Sequence, residues 1–311
     1  MIYLDMHGRL GNQMFQYAFA RWLQLKTGQD ITIGFQDVES KGEASIGWEN
    51  SLQYFNVASF HIDAEKGSLL KRKTTLLQKI VGGIYFLSFL PFRSNLKMDQ
   101  RRHIQLRWQR TLNRLGMFWL VQGYSKPIIT KQKNYILNGQ FEDSRYFDEI
   151  KDILIKEFEP GEPELQDNAE LYEIIRENNS VCLSIRRGDY ESNPKIKNVF
   201  SVCGKEYFSK AIEYMETHIE NPVFILFSDD IQWARENITS KFPVYSEKGN
   251  DPVWEKLRLM YNCKHFIISN STFSWWAQYL GRNKDKVVVS PSVWFQTSQY
   301  ADLIEDDFIK V

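Results

Sequence analysis

Two adjacent arginines, Arg186 and Arg187, stand directly behind the apolar run 180–185 and are followed by Gly188, Asp189 and Tyr190. At the end of a strand such a pair is held in position, unlike arginines solvated on a helix face. A guanidinium stays charged at any physiological pH and offers a planar fork of donors that matches phosphate oxygens. Gly188 allows the backbone to approach a ligand closely or to take a positive φ. The competing reading is a structural ion pair with Asp189 or another nearby acid. A second cluster, Asn270-Ser271-Thr272-Phe273-Ser274, brings hydroxyls, an amide and backbone N–H groups to the start of a helix, an arrangement suited to an anion. N-capping by Ser271 or Thr272 would explain one of these residues but not the set. Trp275 and Trp276, next in the chain, read as core.

Two further clusters are weaker on their own. Gly8-Arg9-Leu10-Gly11-Asn12-Gln13 is a glycine-containing turn into a helix, but it has neither the G-x-G-x-x-G spacing nor the Walker Gly-Lys-Ser/Thr. Ser228-Asp229-Asp230 offers carboxylates for a base edge or a ribose, or a cap for the helix that follows. Among the seventeen aspartates no two stand two apart, so the D-x-D pattern that holds a divalent cation under a nucleotide diphosphate is missing. A bound diphosphate would then be neutralised by arginines and helix N-termini, with no metal cofactor.

These clusters need elements to position them. Residues 2–4 are β-prone, and apolar positions Met14, Phe15, Ala18, Phe19, Trp22, Leu23 and Leu25 then recur at helical spacing until Thr27-Gly28. Residues 31–35 read as the next strand, which completes a βαβ unit and points to a parallel α/β sheet. A strand and turn follow at 135–140, with a helix near 144–157. In the second half, strands at 180–185, 223–227, 265–268 and 286–290 alternate with helices at 205–219, 254–263 and 275–280. Three of these strands end in the polar clusters above, and the carboxyl edge of an open α/β sheet is where ligands bind. At 311 residues the chain predicts one large domain or two ordinary ones. Pro160-Gly161-Glu162-Pro163 marks the boundary between domains 1–158 and 164–311.

Taken together the clusters resemble the α-1,2-fucosyltransferases, glycosyltransferase family 11. Residues 8–17 are similar to the family's N-terminal signature almost residue for residue. Residues 184–190 are similar to its H-x-R-R-G-D-Y motif, with Ser184 in place of the histidine. Phe227-Ser228-Asp229-Asp230 and 269–276 resemble the two C-terminal motifs, and Trp294-Phe295 a late family feature. The resemblance runs the length of the chain and is weakest at about 40–130. It implies an α/β fold of GT-B type, two Rossmann-like domains facing a central cleft, and metal-independent, inverting transfer of L-fucose from GDP-fucose to a galactose 2-hydroxyl. Arg186 and Arg187 would bind the β-phosphate and stabilise the leaving GDP. Asp229 or Asp230 would read guanine or ribose, with Ser184 near the base. Asn270, Ser271, Thr272, Phe273 and Ser274 would surround the diphosphate. Gly11, Asn12 and Gln13 would supply the opposite side of the donor site. Asp189 ranks first as general base, with Asp5 and His7 as alternatives.

Composition is that of a globular protein, 43 % hydrophobic and 25 % charged, and the formal net charge is zero. That zero is unevenly distributed. Residues 66–133 hold fifteen Lys/Arg against the single acid Asp99, a net of +14, so the rest of the chain carries −14. The run 80–92 has thirteen residues, whereas about 20 are needed to span a bilayer. Bracketed by cations, it reads as an interfacial attachment to an anionic membrane, or else as a buried core helix beside a solvated basic face. Nucleic acid is the rival partner for the basic stretch, but no nucleic-acid motif accompanies it. Cys182, Cys203 and Cys263 form neither a disulfide framework nor a zinc motif, and the N-terminus has no secretory pattern. The expected location is cytoplasmic, peripheral at the inner face of the membrane, with a terminal galactoside acceptor, free or lipid-linked. Trp48, Trp108, Tyr124 and the turn 140–145 are its candidate contacts. Another GDP-sugar as donor, or a glycan- or nucleotide-binding protein without catalysis, are the alternatives.

Overall fold

Alternation of Ile2 and Leu4 with Tyr3 and Asp5 makes β1 (Ile2–Asp5) a strand whose aliphatic side chains are wholly buried. In the computed structural model of the chain, β1 begins the first of two units, Met1–Phe158 and Glu159–Val311. Residues 1–42, 47–90, 98–121, 123–297 and 303–311 are described, and of residues 98, 189, 192, 195 and 196 the backbone only.

The first unit adds β2 (Ile31–Gly34), β3 (His61–Ile62), β4 (Met117–Phe118) and β5 (Tyr135–Leu137) in the order β3-β2-β1-β5-β4, every pair parallel. The helix Leu10–Thr27 links β1 to β2 and buries Met14, Phe15, Ala18, Phe19 and Leu23 completely. It stops where Gly28, at φ 67°, returns its N–H to the carbonyl of Gln24 at 2.8 Å. Its first turn begins at Leu10, so Gly11 lies inside the helix and not in the turn before it. The stretch expected as one helix near 144–157 is two 3-10 turns, Ser144–Tyr146 and Asp148–Ile150, followed by the helix Lys151–Glu157. Asp143 starts it by accepting from Arg145 N at 3.0 Å. The basic stretch forms the helices Leu69–Lys73, Leu76–Leu87 and Met98–Arg114 around the short β4.

The second unit contains β6 (Asn179–Ile185), β7 (Pro222–Ser228), β8 (Val244–Ser246), β9 (His265–Ile267), β10 (Val288–Ser290) and β11 (Ile309–Lys310). Their order is β11-β10-β9-β6-β7-β8, all parallel. Numbered within the unit this is 3-2-1-4-5-6, the doubly wound dinucleotide-fold order, with its reversal between β6 and β9. Both faces of the sheet are covered, which is why β6 and β7 read as continuous apolar runs. Val181, Leu183, Phe224, Leu226, Ile267 and Val289 pack there against Phe208, Ala211 and Met215 of the helix Lys205–His218. Strand β8 and the helix Ala169–Glu177 were not anticipated; three-residue β8 is too short to show a period. The GT-B expectation of two Rossmann-like units is met, unit by unit.

Candidate active site

Strands β6 and β7 pair in register, Ile185 opposite Ser228, so the next residues out, Arg186 and Asp229, leave the sheet side by side. Arg186 Nη1 lies 2.9 Å from Asp229 Oδ2, and the backbone N–H of Arg187 donates to Asp229 Oδ1 at 2.9 Å. Arg187 Nε is 3.5 Å from Asp230 Oδ2, and its guanidinium sits 3.8 Å over the ring of Trp233. Gly188 is required here for space, not for a positive φ: a Cβ would lie 2.6 Å from Asp229 Oδ2. Asp230 also caps the helix Ile231–Asn237 by accepting from Trp233 N at 3.2 Å. Both sequence readings of these residues therefore hold at once. The arginines are ion-paired, with Asp229 and Asp230, and they stay half-buried at the carboxyl edge where an anionic ligand would meet them. The backbone of Asp189 lies in the short helix Gly188–Ser192, and its side chain falls outside the described ones.

At the reversal point, Ser184 from the end of β6 meets the turn after β9. Ser184 Oγ is 2.6 Å from Ser274 Oγ, which is 3.1 Å from Ser269 Oγ. The helix Thr272–Leu280 starts above this hydroxyl cluster, and its N-cap Ser271 makes no side-chain capping bond, contrary to the capping alternative. Ser271, Thr272 and Phe273 are partly exposed, whereas Ser274 is buried. Asn270 is placed otherwise than a ligand contact requires. It is buried, and its amide donates to the carbonyls of Phe200 at 2.8 Å and Trp294 at 2.9 Å. Its own carbonyl accepts from the Tyr190 hydroxyl at 3.1 Å. It ties the segments of Tyr190, Phe200 and Trp294 to the end of β9. Trp275 and Trp276 are wholly buried, as core residues.

One pair of residues here escaped sequence reading. Glu247, wholly buried, accepts from Ser228 N at 3.2 Å and pairs with Lys256 Nζ at 2.7 Å beneath the Ser228-Asp229 turn. Burial pushes its carboxyl above the usual range, against the pull of Lys256. Nothing around Glu247 in the chain marks it, because Lys256 is nine residues away on another element. Trp233, by contrast, was legible in principle, since it stands three residues past Asp230 in the first turn of a helix.

In the first unit, the signature 8–17 proves largely self-contained. Gln13 is wholly buried; its amide donates to the carbonyls of Gly8 at 3.0 Å and Glu49 at 2.8 Å, and its oxygen accepts from Ser51 N at 3.0 Å. Gln16 donates to His7 O at 2.7 Å and accepts from His7 N at 3.1 Å. The expectation that Gln13 contacts the donor gives way to a role in shaping the loop after β1. Gly8 has φ +80°, and a Cβ there would lie 2.7 Å from Asn12 Cβ. Asn12 faces the loop after β5 and donates to Gln140 Oε1 at 3.3 Å and Glu142 Oε1 at 3.2 Å. β1 and β5 are adjacent at this sheet's own reversal, so Asn12, Gln140 and Glu142 occupy the equivalent ligand edge. Of the alternative bases, His7 pairs with Asp37 at 3.0 Å. Asp5 accepts from Leu69 N at 3.0 Å and bonds the Ser68 hydroxyl, so it is engaged structurally.

The sequence profile of glycosyl transferase family 11 matches residues 1–310. The chain belongs to glycosyl transferase family 11. This family 11 glycosyltransferase is 28 % identical to the O-antigen biosynthesis glycosyltransferase WbnK of Escherichia coli in an alignment of 318 residues that spans all of both chains. It is 35 % identical over 181 residues to an alpha-1,2-colitosyltransferase of Escherichia coli, covering 57 % of this chain and 62 % of the relative. Over 106 residues it is 35 % identical to the mouse galactoside 2-alpha-L-fucosyltransferase Sec1, covering 32 % and 28 %. Among solved structures, the NodZ alpha-1,6-fucosyltransferase soaked with GDP-fucose aligns over 90 % of this chain and 92 % of its own, with 12 % identity and a TM-score of 0.47.

Proposed function

We propose that this family 11 enzyme transfers L-fucose from GDP-fucose to the 2-hydroxyl of a galactose residue, with inversion and without a metal. The acceptor is an oligosaccharide or a lipid-linked glycan of the bacterial surface type, met on the cytoplasmic side of the membrane. The observation that carries the reading is the convergence of Arg186, Arg187, Asp229 and Asp230 at the carboxyl ends of β6 and β7. Charge develops on the leaving diphosphate during transfer, and fixed guanidinium groups aimed at it stabilise the transition state without reorganising. The carboxylates hold the arginines in place and offer acceptors for the nucleoside. The partly exposed Ser271 and Thr272 at the amino end of the helix Thr272–Leu280 supply further donors to phosphate. The missing D-x-D supports metal independence, because the cationic partners are already in the chain. Asn12, bonded to Glu142, stands at the carboxyl edge of the first unit's sheet.

The relatives named for colitosyl and fucosyl transfer keep a second deoxy-sugar donor in view. The deciding experiment is consumption of GDP-fucose against a panel of terminal galactosides with EDTA present. Turnover that persists in EDTA and yields a 2-linked fucoside is the expected result. A strict divalent-metal requirement refutes the metal-independent mechanism, and turnover only with another GDP-sugar refutes the donor.

A further inference from the structure

The helix Leu76–Leu87 has two apolar faces, and among the described residues only one of them is covered. It opens with a capping box, in which the Thr75 hydroxyl accepts from Gln78 N at 3.3 Å and Thr75 N donates to Gln78 Oε1 at 2.9 Å. Its inner face is built into the first unit. Gln78 donates to Leu115 O at 2.8 Å, and the buried Tyr85 ring lies 5.8 Å from Trp119 and 6.1 Å from Trp108. Gly82 meets Trp119 so closely that a Cβ would lie 2.7 Å from the indole. The outer face carries Leu76, Leu77, Ile80, Ile84 and Leu87, which are 76, 57, 53, 50 and 59 % exposed. At 3.6 residues per turn these five side chains fall in one stripe roughly 100° wide. Phe86 and Leu90 beside it are 57 and 48 % exposed. So large an apolar face left in water marks an interaction site.

Charge identifies the partner. Lys79 borders the stripe on its own helix, Lys71 is exposed on the helix Leu69–Lys73 just before it, and Arg101, Arg107, Arg110 and Arg114 are exposed on the helix that packs beside it. Asp99 is the only acid between residues 66 and 133. A symmetric pairing of two copies through this face would set one +14 segment against another, which like-charge repulsion opposes. Among the described residues no helix is long and apolar enough to cross a membrane. An aliphatic stripe bordered by exposed cations, with Asp99 the single acid of residues 66–133, fits the boundary between anionic headgroups and acyl chains. We propose that this face docks the protein on an anionic bilayer. The helix lies in the plane of the interface, its five aliphatic side chains enter the acyl boundary, and the flanking cations meet lipid phosphates. The docking goes beyond the transfer reaction and does not depend on it.

The test is flotation of the full chain with vesicles of phosphatidylcholine containing one-third phosphatidylglycerol, at physiological salt. The protein is expected to float with these vesicles and to stay in solution with pure phosphatidylcholine. The triple variant Leu76→Gln/Ile80→Gln/Ile84→Gln should lower the bound-to-free ratio at least tenfold, and Lys71→Glu/Lys79→Glu should lower it several-fold. Both should keep the wild-type circular dichroism and thermal midpoint. Transfer to a soluble galactoside should be unchanged in the triple variant, so a failed docking is distinguishable from a failed catalytic reading. Wild-type protein that stays in solution with anionic vesicles overturns the proposal. So does a dimer that the triple variant dissociates without any vesicle binding, since the stripe would then belong to a second copy of the chain.

Discussion

Arg186 is held by Asp229 at 2.9 Å, and Gly188 leaves the room that this carboxylate occupies. The two residues support the same chemistry by different means, and their variants should separate. Arg186→Ala removes a fixed cation from the leaving diphosphate, and kcat/KM is expected to fall about 100- to 1,000-fold with little change in thermal midpoint. Arg186→Lys should recover little, because a lysine lacks the planar fork. Gly188→Ala should also lower kcat/KM while leaving Arg186 in the chain, since its Cβ displaces Asp229 from the guanidinium. Steady-state kinetics on the three variants decides it, and unchanged turnover in Arg186→Ala would remove that residue from the mechanism. At this scale the sequence was informative about side-chain type but not about orientation. Arg186, Arg187 and Asp229 met as their chemistry suggested. Asn270 and Gln13 carry equally suitable amides, yet both turn inward and bond backbone carbonyls. Nothing local to the chain distinguishes an amide that serves a ligand from one that serves a loop.

Elements were legible wherever a period had room to develop. The helix Leu10–Thr27 and strands β6 and β7 appear within a few residues of expectation because four or more apolar positions establish each pattern. Strands β4, β8 and β11 have two or three residues each and take their extended form from the neighbour they pair with. One junction between elements should respond to pH. His265 opens β9, and its Nδ1 accepts from Val287 N at 3.1 Å, a bond that only the neutral ring can make. Burial, helped by the adjacent Lys264, holds its pKa below the ordinary 6.5. The folded state therefore binds fewer protons than the unfolded chain as pH falls below that value. The stabilisation is complete above about pH 6.5 and is lost as pH drops through the folded-state pKa. His265→Asn keeps an acceptor for Val287 without a titrating ring. Thermal midpoints measured from about pH 7.5 to about pH 5 should fall more steeply for the wild type than for this variant. A constant difference across that range would clear His265 of any part in acid sensitivity.

For the whole molecule, the proposed donor site belongs to the unit Glu159–Val311, and ligand linkage follows from that. GDP at about 100 times its Kd should add about 2.7 kcal/mol to the stability of the state that binds it. The expected result is a rise of several degrees in the thermal transition of that unit, absent with UDP and abolished in Arg186→Ala. An equal rise with both nucleotides would remove guanine selectivity from the site. The zero net charge also has a meaning at this scale, because the cations of residues 66–133 are gathered in one unit, next to an aliphatic face that no other described residue covers.

The sequence by itself determined the family, the parallel α/β class and the residue types at the carboxyl edge of the second sheet. Those follow from short-range patterns: periodicity within a strand or helix, and motifs of consecutive residues. Only the tertiary structure decided which of those residues face one another. Strands β6, β7 and β9 are separated by tens of residues and become neighbours through crossover connections, so Arg186 meets Asp229 and Ser184 meets Ser274 by strand order alone. The same holds for the run 80–92, of which 91 and 92 lie outside the described residues and where the sequence left burial and membrane contact as alternatives. A helix presents its residues around a full turn, and packing covered the side with Tyr85 while leaving the side with Ile80 and Ile84 in water.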